Sequence, residues 1–176
     1  MPPDIPVTIV TSYLPGAIGR IAELHGTYYA AHWNFGAFFE AKVATEFSAF
    51  IRDYQPDRDG LWLTVAGGRV EGGIVIDGAR AADEGAHLRW FIASDPLRGK
   101  GTGKQLLQKA MKFCQEKGFP SVYLWTFEGL HAARHLYESV GFEMTCQRRG
   151  VQWGTCVNEQ RFEWRPQFKE SGLIRE

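Results

Sequence analysis

The chain has 176 residues, and its 20 Lys and Arg against 20 Asp and Glu give a formal net charge of zero at pH 7. This balance argues against a general binder of nucleic acid or of anionic membranes, since such proteins carry a net basic charge. With 44% hydrophobic residues, the chain is long enough for one good core and short for two, so residues 1–176 are expected to form a single domain.

The start of the chain and its cysteines carry no signal for export or for metal binding. Met1-Pro2-Pro3-Asp4 lacks the basic and apolar segments of a signal peptide, and no apolar run reaches the ~18 residues that a membrane span needs. The three cysteines, Cys114, Cys146 and Cys156, are odd in number and have no paired metal spacing. We therefore expect reduced thiols, no metal, no membrane or nucleic-acid partner, and a cytoplasmic location.

One strand and two aromatic helices are expected in the N-terminal third. Residues 5–13 are predicted to form a strand, which Pro15-Gly16 ends. Two sets of apolar residues then recur at helical spacing, with a break at residues 34–36 between them. The first set is Ile18, Ile21, Leu24 and Tyr28, and the second is Phe39, Val43, Phe47, Phe50 and Ile51.

Strands predominate from residue 61 onward. A hairpin is expected across Gly67-Gly68, and a loop of small residues at 78–85 precedes a central strand. Gly118 and Gly141 are placed to end two later helices. The expected strands are 61–66, 69–77, 86–93, 121–127, 143–152 and 156–164, and the expected helices are 102–117 and 130–140.

The most informative run is Arg98-Gly99-Lys100-Gly101-Thr102-Gly103, because it follows a strand and opens a helix. Glycines at alternate positions allow several backbone N–H groups to turn toward one anion, and the helix adds its unpaired donors and the positive end of its dipole. Arg98 and Lys100 add full charges. These features predict a phosphate-binding loop, while a simple turn is the alternative for the loop taken by itself.

Two common phosphate-loop templates do not fit this run. A Walker loop ending at Gly103-Lys104 would require Gly where Arg98 stands and Ser or Thr where Gln105 stands. A dinucleotide fingerprint starting at Gly99 would require Gly at Lys104. The pattern that fits is Arg-x-x-Gly-x-Gly, which resembles the acetyl-CoA pyrophosphate loop of the GNAT superfamily of N-acetyltransferases.

A second motif strengthens this resemblance. In the superfamily a later helix carries Ala, then Tyr four residues on, then Gly-Phe, and this chain has Ala133, Tyr137 and Gly141-Phe142 at matching spacing. The resemblance covers about residues 60–165 well and the first sixty more loosely. It implies an α/β (α+β) fold, in which a mixed sheet of about seven strands, flanked by about four helices, splays between the strands at 86–93 and 121–127.

Acetyl-CoA is the co-substrate that the resemblance implies. Freed backbone groups at Phe91, Ile92 and Ala93 are expected to pair with its pantetheine arm. Leu130 stands where the superfamily often has an Asn that contacts the cofactor, which leaves the Thr126 hydroxyl as a replacement. The other expected cofactor-binding residues are Arg98, Gly99, Lys100, Gly101, Thr102, Gly103, Lys104, Ala133 and Tyr137.

Tyr137 is the expected catalytic residue. A phenol with an ordinary pKa of about 10 can hydrogen-bond the leaving thiolate, whose thiol has a pKa of about 8.5, and can deliver a proton to it. The resemblance supplies its position beside the CoA sulfur. The group that removes the proton from the acceptor amine stays open among Glu40, His87, Glu84 and His32.

The acceptor site is expected at the aromatic segment 25–40, which is similar to the start of the acetyltransferase half of MarR-linked transferases. No winged helix-turn-helix precedes this segment, so a DNA-binding role does not carry over. Arg148-Arg149 and Trp153 are placed to close the acceptor channel or a dimer. The candidate acceptor residues are Tyr29, His32, Trp33, Phe38 and Glu40, with Tyr28, Phe35 and Phe39 as further members of an aromatic cup or, alternatively, of the core.

The function predicted from these patterns is direct transfer of an acetyl group from acetyl-CoA to a primary amine of a small molecule or amino acid. Acetylation of a protein N-terminus or lysine is the enzymatic alternative. An acyl-CoA-binding sensor is the nonenzymatic one. The acyl-chain preference and the choice between monomer and homodimer stay open.

Overall fold

The computed structural model describes residues 5–167, which form a mixed seven-stranded sheet and four α-helices, as the resemblance implied. The sheet order is β1-β2-β3-β4-β5-β7-β6. The strands are β1 (Val7–Val10), β2 (Gly60–Ala66), β3 (Arg69–Asp77), β4 (Ala86–Ala93), β5 (Val122–Phe127), β6 (Glu143–Gly150) and β7 (Val157–Trp164). The helices are α1 (Ala17–Trp33), α2 (Ala37–Arg52), α3 (Thr102–Lys117) and α4 (His131–Ser139), with a short 3-10 helix at Asp95–Leu97.

The helices cover the two faces of the sheet in pairs. Side chains of α3 and α4 pack with Leu88 and Leu124 in one core cluster. Those of α1 and α2 pack with Leu63 and Ile92 in another. Alternate residues of a strand point to opposite faces, so β2, β3 and β4 each contribute to both clusters.

The sheet opens between its two parallel strands. β4 and β5 are paired only at Ala86 with Val122 and at His87 with Tyr123. Past His87, the side of β4 that faces β5 has no strand partner, which confirms the splay that the resemblance implied. The gap this leaves runs through the sheet from the α1–α2 face to the α4 face.

A bulge in β4 changes which side chains face each helix pair. Gly73 opposes Ile92 and Val75 opposes Arg89, so β4 has one residue more than β3 in this interval. Trp90 takes the left-handed conformation, with φ of 48°, which is costly for a large residue. Its ring is held by Phe47, at a centroid distance of 5.0 Å.

The bulge directs two adjacent side chains of β4 toward the same helix. Arg89 and Trp90, although adjacent, both reach groups of α2, since Arg89 pairs with Glu46 and the Trp90 ring packs on Phe47. Phe91 instead packs toward Tyr137 of α4. A regular strand would have sent Arg89 and Trp90 to opposite faces.

Most element boundaries agree with the sequence-based prediction within two residues. The exception is the first strand, where only Val7–Val10 of the expected 5–13 pairs with β2, and two of these four residues are exposed. The predicted break between the helices is present, because Asn34 caps α1 in the left-handed conformation with φ of 56°. Cys114, Cys146 and Cys156 are free thiols.

Two expectations concern the ends of the chain. The single-domain prediction for 1–176 includes 1–4 and 168–176, which lie outside the described residues, as does the Met1–Asp4 start. Within residues 5–167 there is no helix both long enough and apolar enough to cross a membrane. No separate DNA-binding domain is formed by that part of the chain.

Candidate active site

A cavity of about 280 Å³ occupies the gap between β4 and β5. Residues from both helix pairs, from both strands and from the loop between β6 and β7 form its walls. It therefore joins the two faces of the sheet. The lining residues are His25, Tyr29, Phe39, Lys42, Val43, Glu46, His87, Leu88, Arg89, Trp90, Phe91, Leu124, Trp125, Thr126, Phe127, Leu130, Ala133, Tyr137, Gln152 and Trp153.

The glycine loop adopts the conformation that anion binding requires. Gly99 and Gly101 have φ values of 71° and 81°, in the left-handed region that side chains disfavour. Gly101 precedes α3, and no side chain caps the helix there. The first-turn N–H groups of α3 are therefore available to a ligand.

No residue of the loop, 98–104, is among the cavity's lining residues, but two contacts join the loop to β4 and α1, which do contribute to the lining. A Cβ at Gly103 would stand 3.4 Å from the Phe91 ring, so the start of α3 lies directly beside β4. Arg98 donates from Nε to the carbonyl of Ala93 at 3.1 Å, and its guanidinium lies 3.8 Å from the centroid of the Tyr28 ring. The loop, the end of β4 and α1 thus meet at one edge of the gap.

These features fit acetyl-CoA at the loop end of the cavity. An uncapped helix start with two left-handed glycines suits a pyrophosphate, and a strand edge without a partner suits the amide-bearing pantetheine arm. Thr126 and Ala133 line the cavity, as expected for residues beside that arm. Leu130 also lines it, so the position that often holds Asn is apolar here.

Tyr137 lies on the wall that α4 contributes, and only 6% of its surface is exposed. Its ring packs against Phe91 and Phe142, each at a centroid distance of 6.0 Å. Burial, reinforced by the nearby Tyr29 hydroxyl, raises the pKa of Tyr137 above its ordinary value of 10.0. Tyr137 therefore keeps its proton at neutral pH and can donate a hydrogen bond, while burial makes full transfer of the proton less favourable.

A charged cluster lies at the opposite end, between α2 and β4. The Glu46 carboxylate accepts from Lys42 of the same helix and from Arg89 of β4. Arg89 also contacts Asp77, whose Oδ2 lies 3.7 Å from Nη1. The Arg89 guanidinium stacks over the Trp90 ring at 4.1 Å. Lys42, Glu46 and Arg89 all line the cavity, while Asp77 stands behind them.

Two histidines face the cavity in their neutral form. His25 donates from Nδ1 to the carbonyl of Ile21 at 2.8 Å, which leaves the lone pair on Nε2. Burial lowers the pKa of His25 to about 4. The pKa of His87 falls to about 3, first because of burial and then because of Arg89 and other nearby cations. His87 also stacks on Tyr123, at a centroid distance of 4.4 Å.

Of the candidate acceptor residues, the structure brings Tyr29 to the cavity and places the other four outside its lining. Trp33 packs on Phe127 at 4.9 Å, and its ring also fills the space in which a Cβ at Gly129 would lie. The Glu40 carboxylate lies against the α1 backbone at Gly26.

The remaining two candidates also make contacts away from the cavity. His32 packs on Tyr28 at 4.5 Å. Phe38 is 61% exposed and covers Gly154. Phe39, the neighbour of Phe38 and a further member of the predicted aromatic cup, does line the cavity.

Of the four groups considered for removing the amine proton, one lines the cavity and three do not. His87 lines the cavity. Glu84 pairs with Arg80 at 3.2 Å, and Glu40 and His32 have the contacts described above. Trp153 lines the cavity, whereas Arg148 pairs with Glu159 and the side chain of Arg149 lies beside Cys156.

Sequence reasoning missed five polar lining residues, namely His25, Lys42, Glu46, Arg89 and Gln152. A signal existed for one of them, because Arg89 interrupts an otherwise apolar run in the central strand, Leu88 to Ala93. Lys42 and Glu46 stand four residues apart, as in many solvent-exposed helix pairs, so their spacing carries no such signal.

Comparison with known proteins agrees with this geometry. Residues 20–142 match the acetyltransferase (GNAT) family. The human N-acetylaspartate synthetase is 30% identical over 135 residues, which cover 76% of this chain and 43% of that protein. A probable N-acetyltransferase, camello, from Xenopus tropicalis is 24% identical over 75% of the chain and 61% of its own length. The chain thus spans about two fifths to three fifths of these relatives.

Solved structures show the same fold at low identity. A putative acetyltransferase from Salmonella typhimurium, solved with acetyl-CoA, superposes with a TM-score of 0.71 at 17% identity, covering 91% of this chain and 94% of that one. The ribosomal-protein-S18-alanine N-acetyltransferase from Escherichia coli gives a TM-score of 0.67 at 16% identity, covering 97% and 100%. With the family match over most of its length, the chain belongs to the GNAT family of acetyltransferases.

Proposed function

We propose that this domain acetylates the primary amine of a small molecule, with free amino acids as the favoured class. The observation that carries the proposal is the cavity between β4 and β5, whose wall includes both Phe91, which lies beside the start of α3, and the cluster of Lys42, Glu46 and Arg89. Its volume of about 280 Å³ lies at the low end of small-molecule sites, which span ~300–1,000 Å³.

The residues at the loop end position the donor. Acetyl-CoA supplies an acetyl group activated as a thioester. The α3 start and the Gly99 and Gly101 amides bind the pyrophosphate, and the β4 edge at Phe91, Ile92 and Ala93 binds the pantetheine arm. As the amine nitrogen bonds to the acetyl carbon and the C–S bond breaks, Tyr137 donates its phenolic proton to the departing sulfur, and the proton lost by the attacking nitrogen returns the buried phenol to its neutral form.

At the acceptor end, the charges favour an acceptor that bears a carboxylate as well as an amine. Lys42 and Arg89 give two positive charges on the cavity wall, which Glu46 on the wall and Asp77 behind it balance, so the two cations offer hydrogen-bond donors to a carboxylate without a net positive charge. An amino acid whose amine is neutral, as attack requires, carries one negative charge. The relatives named N-acetylaspartate synthetase support an amino-acid acceptor for this chain as well.

The cavity wall provides no strong base that could remove a proton from the ammonium group of the acceptor. His25 and His87 have pKa values lowered to about 4 and about 3, and the Glu46 carboxylate is held by two cations. We therefore infer that the domain takes the amine from its neutral fraction in solution, rather than deprotonating a bound ammonium.

Release of CoA from acetyl-CoA, measured with a panel of acceptors, tests the proposal. The panel contains amino acids, amines without a carboxylate, and short peptides with a free N-terminus or a lysine. Turnover of free amino acids is expected, with kcat at least tenfold above the rate without acceptor. Turnover of peptides alone would replace the proposal by protein acetylation. Acetyl-CoA binding without turnover of any acceptor would favour a sensor.

A further inference from the structure

Gln152 lines the cavity, and the nitrogen of its side-chain amide is a buried donor without a hydrogen-bond partner. Among residues 5–167, Nε2 of Gln152 is one of three buried side-chain polar atoms that make no hydrogen bond. The other two, on Thr64 and Ser94, belong to residues that do not line the cavity. A buried donor without a partner costs free energy, so its presence in a ligand cavity points to a ligand atom that accepts from it.

The loop that carries Gln152 is held in place by its backbone. The Gln152 N–H donates to Oε1 of Glu159 at 2.9 Å, and Glu159 is only 1% exposed. The other oxygen of Glu159 accepts from Nε of Arg148 at 3.2 Å. A Cβ at Gly150 would stand 2.3 Å from Glu159, so glycine leaves room for this carboxylate.

Neighbouring residues complete the anchoring of this loop. The Trp153 ring packs on Phe127 at 5.5 Å, and the Gly154 N–H donates to the Val151 carbonyl at 2.8 Å. The backbone of Gln152 is thus held by its own N–H, which bonds to Glu159, and by the contacts of the residues that follow it. Gln152 lines the cavity together with His25 of α1 and Lys42 of α2, and its loop contacts α2 where Phe38 covers Gly154.

The chemistry of the amide selects the ligand atom. An N–H donor pairs with a lone pair on oxygen, and the acceptor's neutral amine must be left free to attack the acetyl carbon. Gln152 carries no charge, so it adds specificity without changing the charge balance of Lys42, Glu46 and Arg89. An oxygen of the acceptor carboxylate satisfies the amide and is attracted by the two cations.

We propose that Gln152 is a specificity-determining residue whose amide binds a carboxylate oxygen of the amino-acid acceptor. This inference rests on the proposed function, because it names a recognition group for the acceptor of that same site. It makes Gln152 the residue that distinguishes amino acids from simple amines.

The test compares two acceptors across three variants. The acceptors are the best amino acid of the panel and the amine that remains when its α-carboxylate is removed. Gln152→Met keeps the length of the side chain and removes its hydrogen bonds, and Gln152→Glu places a negative charge opposite the carboxylate. Gln115→Met, on the exposed last turn of α3, is the matched control.

Gln152→Met is expected to lower kcat/KM for the amino acid about tenfold, mainly through KM, and to leave the decarboxylated amine within about twofold. Gln152→Glu is expected to lower it further. The Kd for acetyl-CoA, measured by calorimetry, should be unchanged in all three variants. An equal loss with both acceptors, or no loss with either, would overturn the role of Gln152.

Equilibrium binding separates this inference from the proposed function. If the wild-type domain turns over no free amino acid, the proposed function fails. Calorimetric titration of the amino acid into the complex with CoA still decides about Gln152. A Kd about tenfold weaker in Gln152→Met than in Gln115→Met supports the inference, and equal affinities, or no binding to any variant, overturn it.

Discussion

The two ends of the cavity are constructed in different ways. At the loop end, the groups that suit the cofactor are backbone N–H donors, and they come from one short run, residues 98–104, together with the edge of β4. At the acceptor end, the groups are side chains from α1, α2, β4 and the β6–β7 loop, which lie up to 127 positions apart in the chain, from His25 to Gln152.

This difference determines what a substitution does at each end. A backbone site depends on conformation, so any side chain that disfavours left-handed φ harms it, whatever its chemistry. A side-chain site depends on identity, so even a substitution of the same size changes which acceptor is preferred. Cofactor binding and acceptor choice are therefore expected to respond independently to mutation.

The largest expected effect is that of pH on the acceptor reaction. His25 and His87 titrate near pH 4 and pH 3, and the pKa of Tyr137 is raised above 10.0, so none of the three changes charge between pH 6 and 9. For an acceptor amine with a pKa of about 10, the neutral fraction of the amine rises about tenfold per pH unit in this range.

We therefore expect kcat/KM for the acceptor to rise about 10³-fold from pH 6 to pH 9, with a slope of one in the logarithmic plot. Acetyl-CoA affinity, which depends on the other end of the cavity, serves as the control and should change far less. A plateau reached near pH 7 would reveal a base on the enzyme and contradict the inference.

Removing the phenol of Tyr137 is the next largest change. Tyr137→Phe keeps the ring packing against Phe91 and Phe142 and removes the proton donor, so kcat should fall about 10²-fold while the Kd for acetyl-CoA persists. Tyr123→Phe, which removes a phenol from a tyrosine of β5 outside the cavity lining, is the matched control. Unchanged turnover in Tyr137→Phe would mean that another group or water protonates the thiolate.

Gly101 tests the backbone site directly. A Cβ there meets no atom within 4 Å, so Gly101→Val creates strain through φ of 81° and not through a clash. Left-handed backbone costs a side-chain residue about 1–2 kcal/mol, so acetyl-CoA binding should weaken about tenfold. Gly101→Asn, a residue that tolerates this conformation, should retain more affinity. Calorimetry that showed equal affinities for both variants and wild type would argue against the loop assignment.

The conformation of the glycine loop could be predicted from sequence because its determinants are local. The spacing of glycines after a strand is visible in residues 98–103, and the motif of Ala133, Tyr137 and Gly141 is visible in one helix. The split of the sheet followed from the family resemblance. The β4 bulge did not, since a Trp at left-handed φ is held there by Phe47, which is 43 positions away.

The acceptor end could not be predicted for the same physical reason. Aromatic residues in 25–40 have the same spacing whether they face the cavity or the core, and packing decides between Phe39 and Phe38. Gln152 has no pattern at all, because its position depends on a hydrogen bond from its own backbone to Glu159. The only sequence signal for polar residues on the cavity wall was the charged Arg89 in an otherwise apolar strand.

The smallest expected effect on stability and on the acceptor KM is that of Phe38→Ala. Phe38 was a candidate acceptor residue, yet its ring is 61% exposed and rests on Gly154 at the far side of the β6–β7 loop. Phe38→Ala should reduce the free energy of unfolding by less than about 1 kcal/mol, because little of its surface leaves water. The acceptor KM should stay within about twofold.

The adjacent ring gives the matched contrast. Phe39 is 6% exposed and lines the cavity, so Phe39→Leu should alter the acceptor KM several-fold, while a change of this kind costs less stability than truncation to Ala. Urea unfolding and acceptor kinetics on the two variants decide the matter. A tenfold rise of KM in Phe38→Ala, with Phe39→Leu unchanged, would show that the acceptor approaches along the outer surface of the β6–β7 loop and that the cavity between β4 and β5 is not its site.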